Sequence, residues 1–316
     1  MSVEPVVVSA PLRLSLGGGG CDLPEYYLEH SADVLAVAID RRIEVVVRPA
    51  QRPDGPADPR VALLREHIDL PVSVGVRSPV APGSGLGGSG ALTVALLAAC
   101  DLFRGVRPAH LDPLSLALRA YDWERRRLGE RVGFQDQTAS AFGSVTRMTA
   151  DRRGRLSVTR EEDLAGAVAA MLGRSVRLFA SGRSRTAAGQ LDTFVRGMRD
   201  RGTARGLADT ADAAEALLSM DGARFGEILR QRWERKSAMN PDAGWTGLAG
   251  VVEDALRAGA TGAKVVGAGG GGWLMVAGPD TVMDDVSAVL TGRHGLPEMH
   301  VGVDDRGIVP EGVAGP

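Results

Sequence analysis

Lysine is nearly missing from this chain: of 37 basic residues only Lys236 and Lys264 are lysine, and neither stands near the glycine tract that ends at Gly90. A phosphate loop of the Gly-x-x-x-x-Gly-Lys-Ser/Thr type is thereby excluded, because its lysine must follow the last glycine directly. Cysteine is equally scarce. Cys21 and Cys100 are too few and too isolated for a disulfide framework or a zinc site, and Cys100, at the end of an apolar stretch, reads as packing. Aromatic residues make up 4% of the chain, and its arginines are interleaved with 39 acidic residues to a formal charge of -2, so no nucleic-acid partner is expected. No stretch approaches the ~18 consecutive apolar residues of a membrane span, and the first residues show no basic segment followed by an apolar core and cleavage site. No membrane association is expected, and a cytoplasmic location is.

The 316 residues, 44% of them hydrophobic, suffice for two domains or one large one, and 42 are glycine, gathered in part into three tracts. The middle tract, Pro82-Gly83-Ser84-Gly85-Leu86-Gly87-Gly88-Ser89-Gly90-Ala91, runs directly into the apolar stretch Leu92-Thr93-Val94-Ala95-Leu96-Leu97-Ala98. Glycines let the backbone approach a phosphate, and the unpaired N–H groups of a helix's first turn point the positive end of its dipole at the charge. A nucleotide phosphate is the expected ligand. The dinucleotide fingerprint is formally present in Gly83 to Gly88, but its acidic residue should end a second strand about 20 residues on. Asp101, near that distance, closes a helix instead.

Beta-branched runs predict strands at residues 6–10, at 34–39 and 43–47 around a turn at Asp40-Arg41, and at 72–76. From 91 to about 128 apolar residues recur at helical spacing, interrupted by Pro108 to Pro113, which predicts a helix pair. Strands follow at 145–148 and 156–158 around the Asp151-Arg152-Arg153-Gly154 turn, and at 175–180. Helices are expected over roughly 186–258, and strands at 264–266, 273–277 and 299–303. The composition changes most near 160–174, where Arg160-Glu161-Glu162-Asp163 precedes a run of small residues, and the domain boundary is placed there.

Three segments together resemble the GHMP sugar and mevalonate kinases in order and spacing. Ala10-Pro11-Leu12-Arg13-Leu14-Ser15-Leu16-Gly17-Gly18-Gly19-Gly20-Cys21-Asp22-Leu23 is similar to their first motif, the middle glycine tract to their second, and residues 262–273, with Gly269, Gly270 and Gly271, to their third. The tetraglycine before Asp22, Gly133-Phe134-Gln135-Asp136-Gln137 and Ser181-Gly182-Arg183-Ser184-Arg185 most resemble the branch acting on D-glycero-D-manno-heptose 7-phosphate at C1. The resemblance implies an α+β chain of two domains: an N-terminal ribosomal-S5-like α/β domain, residues 1–165, with the ATP and catalytic motifs, and a C-terminal ferredoxin-like domain, residues 166–316, with the third glycine motif and sugar-phosphate contacts.

It also implies a chemistry. Phosphoryl transfer needs a cradle, a metal, a base and charge compensation. ATP would lie on Pro82, Gly83, Ser84, Gly85, Leu86, Gly87, Gly88, Ser89 and Gly90. Mg²⁺ would take the Ser89 hydroxyl and the Glu124 carboxylate, with Glu130 as the competitor for the second role. Asp136 would be the general base, and Arg13 the cation beside it. Gly18, Gly19, Gly20, Cys21 and Asp22 would contact the sugar, together with Gly269 to Gly271, and Arg183, Ser184, Arg185 and Lys236 its remote phosphate. Cys21 stands where the family has threonine, and Thr138 where the heptose branch has tyrosine. Two readings stand beside the heptose 7-phosphate kinase: a 1-kinase for an unphosphorylated sugar such as fucose or galactose, and a sugar sensor without turnover. Monomer and homodimer are both compatible with the sequence.

Overall fold

The computed structural model describes residues 5–50, 58–68, 72–182, 208–239, 246–267 and 272–312. Two antiparallel sheets organise it. The first has the order β10-β1-β2-β4-β5, with β3 beside β2, and is built from β1 (Val6–Gly17), β2 (Ala32–Pro49), β3 (Val72–Arg77), β4 (Val145–Ala150), β5 (Leu156–Arg160) and β10 (Val309–Gly312). β4 pairs with the first half of β2 and β3 with the second. Almost every residue of β1 is buried, the polar Ser9, Arg13 and Ser15 included, so the strand is covered on both faces.

The turn expected at Asp40-Arg41 does not form, and β2 runs straight through it for 18 residues. The polar residues that suggested a turn are met by a distant segment instead. Asp40 N–H donates to Gly302 O at 3.0 Å, Arg41 Nη2 to His300 O at 2.5 Å, and Arg42 Nη2 to Ser9 O at 3.0 Å and Gly307 O at 2.6 Å, while Arg42 also pairs with Asp304. The facing strand adapts by a register shift between Pro11 and Leu12, at a residue with no N–H to offer the ladder.

Helices α3 (Gly88–Phe103) and α5 (Gln135–Phe142) pack on the first sheet, α4 (Pro113–Asp122) packs on α3 and α5, and α2 (Pro59–Ile68) leans on α3; the short α1 (Pro24–His30) lies between β1 and β2 in the chain. The helix pair foreseen over 91–128 is present as α3 and α4. Asp112 caps α4 by accepting from Ser115 N–H at 2.8 Å, with Pro113 in the first turn. After Asp122 the helix widens into a π-turn, Trp123–Arg127, which carries Glu124 inward until it is wholly buried.

The second sheet has the order β7-β8-β6-β9, from β6 (Val176–Ala180), β7 (Gly262–Val265), β8 (Trp273–Ala277) and β9 (Glu298–Met299). It packs with α6 (Glu162–Met171), α7 (Ala208–Leu218), α8 (Gly222–Met239), α9 (Thr246–Arg257) and α10 (Met283–Gly292) through two apolar clusters, one of them shared with the first sheet. The strand expected over 299–303 is only Glu298–Met299, because the chain then leaves to cover Asp40 to Arg42. It ends as β10 on the far edge of β1, so residues from both sides of position 165 share the first sheet. Among the described residues no helix is long and apolar enough to cross a membrane.

Candidate active site

The middle glycine tract is a bent cradle leading into α3. Gly83, Gly85 and Gly87 adopt φ of 76°, 81° and 76°, a region closed to most side chains. Gly87 is the N-cap, no side chain caps the first turn, and no acidic residue stands in it, so its N–H groups are left for an anion. The third glycine segment lies backbone to backbone against this loop: a Cβ on Gly85 would come within 2.4 Å of Val266 O, and one on Gly272 within 2.1 Å of Ser84 O. Gly269, Gly270 and Gly271 lie outside the described residues.

Loop and helix border a cavity of about 650 Å³. Ile43, Val61, Val74, Val76, Val80 and Leu92 give it an apolar wall suited to a flat base, and none of these stood out in the sequence, since they are scattered over β2, α2, β3, the loop and α3.

Asp136, in the first turn of α5, meets Arg13 from the middle of β1, 123 positions away. Arg13 Nε and Nη2 both reach Asp136 Oδ1, at 2.7 and 2.6 Å, while Nη1 donates to Gly85 O at 2.6 Å and the Arg13 N–H to Leu86 O at 2.9 Å. One buried guanidinium therefore ties the carboxylate to the glycine loop. Both contacts fall on Oδ1, and among the described residues no partner is bonded to Oδ2. The approach is close: a Cβ on Gly90 would stand 2.6 Å from Asp136 Cβ, so glycine at position 90 lets the carboxylate sit beside the first turn of α3.

Asp22 faces the same cavity. Its carboxylate accepts from Gly20 N–H at 3.1 Å and from Gln135 N–H at 3.3 Å, and Gly133 packs so close that a Cβ there would lie 1.8 Å from Oδ2. Burial, and then the charge of Asp136, push the Asp22 carboxyl up to about 6. Burial likewise pushes the Cys21 thiol up to about 12, which keeps it a neutral donor. Gly18 has a structural duty, since Asp33 O and the Thr210 hydroxyl occupy the space of its missing Cβ. Gln135 and Ser15, which sequence reasoning missed, brace this wall: Gln135 Nε2 donates to Ser15 Oγ at 2.9 Å, and Lys264 Nζ to Ser15 O at 2.5 Å.

Ser89 lines the cavity; Glu124 lies behind it. Glu124 Oε1 accepts from Arg60 Nη2 at 3.1 Å and Nε at 3.3 Å, and stands 3.0 Å from Thr93 Oγ1, which is also 3.0 Å from Ser89 O; Oε2 accepts from Gln137. Burial raises the Glu124 carboxyl, and Arg60 opposes the rise. Arg60 further reaches Glu130 Oε2 at 2.5 Å, so one arginine of α2 joins the two acidic residues that competed in the sequence. Among the described residues no group of three His, Cys, Asp or Glu could hold a metal. A hydroxyl and a single carboxylate, completed by phosphate and water oxygens, nevertheless match the donor set of Mg²⁺, with Arg60 as the present countercharge of Glu124.

The remaining wall is cationic. Arg232, Arg235 and Lys264 line it with Asp209 and Trp233. Arg183, Ser184 and Arg185 lie outside the described residues, as does the side chain of Lys236 on α8.

The model of the GHMP kinases N terminal domain matches residues 60–144. A mevalonate kinase of Methanothermobacter thermautotrophicus is 30% identical over 308 residues, 89% of this chain and 93% of the relative. A D-glycero-alpha-D-manno-heptose 7-phosphate kinase of Campylobacter jejuni is 25% identical, over 86% of this chain and 89% of its own. In three dimensions the crystal structure of a D-glycero-D-manno-heptose 1-phosphate kinase from Bacteriodes thetaiotaomicron superposes with a TM-score of 0.72 at 21% identity, covering 98% of this chain and 100% of the other, a likeness of fold.

Proposed function

The chain belongs to the GHMP kinase family, with its two-domain α+β fold, and is a phosphotransferase with an alcohol acceptor; from that premise we propose that it is a cytoplasmic ATP-dependent kinase phosphorylating the C1 hydroxyl of D-glycero-D-manno-heptose 7-phosphate to the 1,7-bisphosphate. The observation that carries this reading is one cavity holding an anion cradle, an arginine-held carboxylate beside it, a second buried carboxylate, and a cationic far wall.

The base of the nucleotide lies along the apolar wall, and its phosphates on the loop and first turn of α3, where backbone N–H groups and the helix dipole hold negative charge without reorganisation. Asp22, already accepting two backbone N–H groups, takes hydroxyl hydrogens of the sugar and orients the ring. Asp136 Oδ2 accepts the C1 hydroxyl proton as that oxygen bonds to the γ-phosphorus and the bond to the β-phosphate oxygen breaks, releasing ADP. Arg13 holds Oδ1 and compensates charge between base and loop. Ser89 and Glu124 would hold Mg²⁺, which supplies charge neutralisation at the phosphates.

Two observations favour other acceptors. The 30% identity to a mevalonate kinase keeps a carboxylate-bearing alcohol in view, and Thr138 in place of tyrosine keeps an unphosphorylated sugar such as galactose or fucose. A sensor without turnover has no use for an arginine-held base. Incubating the protein with ATP, Mg²⁺ and a panel of heptose 7-phosphate, heptose, galactose, fucose and mevalonate, with products read by mass, tests the proposal. A heptose bisphosphate is expected; exclusive formation of phosphomevalonate or of a hexose 1-phosphate would overturn it.

A further inference from the structure

We propose that Arg232 and Arg235, set by Asp209, form an anion subsite on the acceptor side of the cavity that takes the acceptor's terminal phosphomonoester. The proposal rests on the reading that the acceptor lies beside Asp22, and it moves the phosphate contact away from Arg183 and Arg185.

The two arginines of this wall share one carboxylate. Arg232, Arg235 and Lys264 line the wall against Asp209, the one carboxylate contributed by α7 and α8 to the described lining. Asp209 Oδ2 is paired to Arg235 and lies 3.8 Å from Arg232 Nε, so one carboxylate serves two guanidinium groups. Arg232 spends its other donors on carbonyls, with Nη1 to Leu16 O at 2.5 Å and Nη2 to Asp209 O at 2.9 Å. Removing such a cation from water is costly unless a counter-ion meets it, and burial here pulls the Arg232 guanidinium down to about 10. A second anion against this pair supplies the missing countercharge.

The two arginines divide the work. Arg232 is fixed, its side chain 12% exposed, and it braces the strand end that leads into the tetraglycine and Asp22. Arg235, with its side chain 31% exposed, is bonded through Nη2 to Asp209, and among the described residues its Nε and Nη1 have no partner. A planar guanidinium with free donors, pinned by a carboxylate on one edge, is suited to the paired charge-assisted bonds that bind phosphate. Both residues stand on α8 at i and i+3, which puts them on one helix face. Cys21 feels the charges of Arg232 and Asp209 together with that of its neighbour Asp22, so the subsite adjoins the sugar wall. An acceptor bound between Asp136 and this wall would present its reacting hydroxyl at one end and its phosphate at the other.

The test separates the subsite from the identity of the acceptor. With the nucleotide site saturated by ADP, inorganic phosphate is titrated calorimetrically into the wild type, Arg235→Gln and Arg235→Lys. Loss of a bidentate contact should weaken phosphate binding about tenfold or more in Arg235→Gln, with partial retention in Arg235→Lys. In turnover, Arg235→Gln should raise the KM for heptose 7-phosphate by a similar factor and leave the KM for ATP unchanged, while an unphosphorylated heptose is indifferent. Equal phosphate affinity in wild type and Arg235→Gln overturns the subsite whatever the acceptor. If the acceptor proves to be a carboxylate-bearing alcohol, the substrate assignment fails, yet a tenfold loss of phosphate affinity still supports the subsite.

Discussion

Replacing Asp22 by asparagine should make the protein more stable and less able to hold its acceptor. In the folded chain the Asp22 carboxyl is pushed up to about 6, against 3.8 in an exposed chain, because burial and Asp136 both oppose its charge. Between those two values the folded protein keeps a proton that the unfolded chain has released, so stability falls as the pH rises through that window and stays lowered above it. A shift of that size corresponds to about 3 kcal/mol at most, by the conversion of about 1.4 kcal/mol for each pH unit. Asparagine removes the charge but accepts less strongly from the N–H groups of Gly20 and Gln135, a loss of about 1 kcal/mol. A net gain of about 1–2 kcal/mol is therefore expected at pH 8, vanishing or reversing near pH 4. Urea denaturation of both proteins at the two pH values, with the slope of the transition held common, measures it. In parallel, the KM for the acceptor should rise in the variant, and in the wild type acceptor affinity should improve as the pH passes through about 6. A stability difference independent of pH, or a variant less stable at pH 8, would show that the Asp22 charge is not opposed by its burial.

Asp136→Asn should bind ATP nearly as tightly as the wild type and turn over about 10² times or more slowly, checked by calorimetry and steady-state rates. Glu124→Gln should raise the Mg²⁺ concentration needed for half-maximal activity; an unaltered Mg²⁺ titration removes Glu124 from the metal site. Arg60→Met strands a fully buried Glu124 and should cost about 3–5 kcal/mol in thermal or urea unfolding, much of it recovered when Glu124→Gln is added in the same chain.

Local signals reached the regular elements and stopped where a partner far along the chain decides the outcome. The β-branched runs of β1 and β2 and the Asp112-Pro113 start of α4 carry their structure in a few neighbouring residues. Asp40 to Arg42 misled because the carbonyls that satisfy them belong to residues near 300–307. β10 has the sequence Val-Pro-Glu-Gly, with proline and glycine where a strand signal would be, and exists through its pairing with β1. The site divides in the same way. The glycine loop announced an anion by its composition, whereas Arg13 and Asp136 meet across 123 positions and were joined only by the family resemblance. Arg60, Gln137, Arg232 and Arg235 sit in polar helical stretches like any other surface of this arginine-rich chain. Their burial against Glu124 and Asp209 appears only once the helices are packed.

Transfer of a phosphoryl group from ATP to the anomeric oxygen of a sugar phosphate is read out by phosphorus NMR of a reaction with D-glycero-D-manno-heptose 7-phosphate. One new phosphomonoester signal split by the single anomeric proton is expected, appearing in step with ADP while the 7-phosphate signal persists. A product phosphorylated at another hydroxyl, or ADP formed together with inorganic phosphate and unchanged sugar, would contradict that transfer.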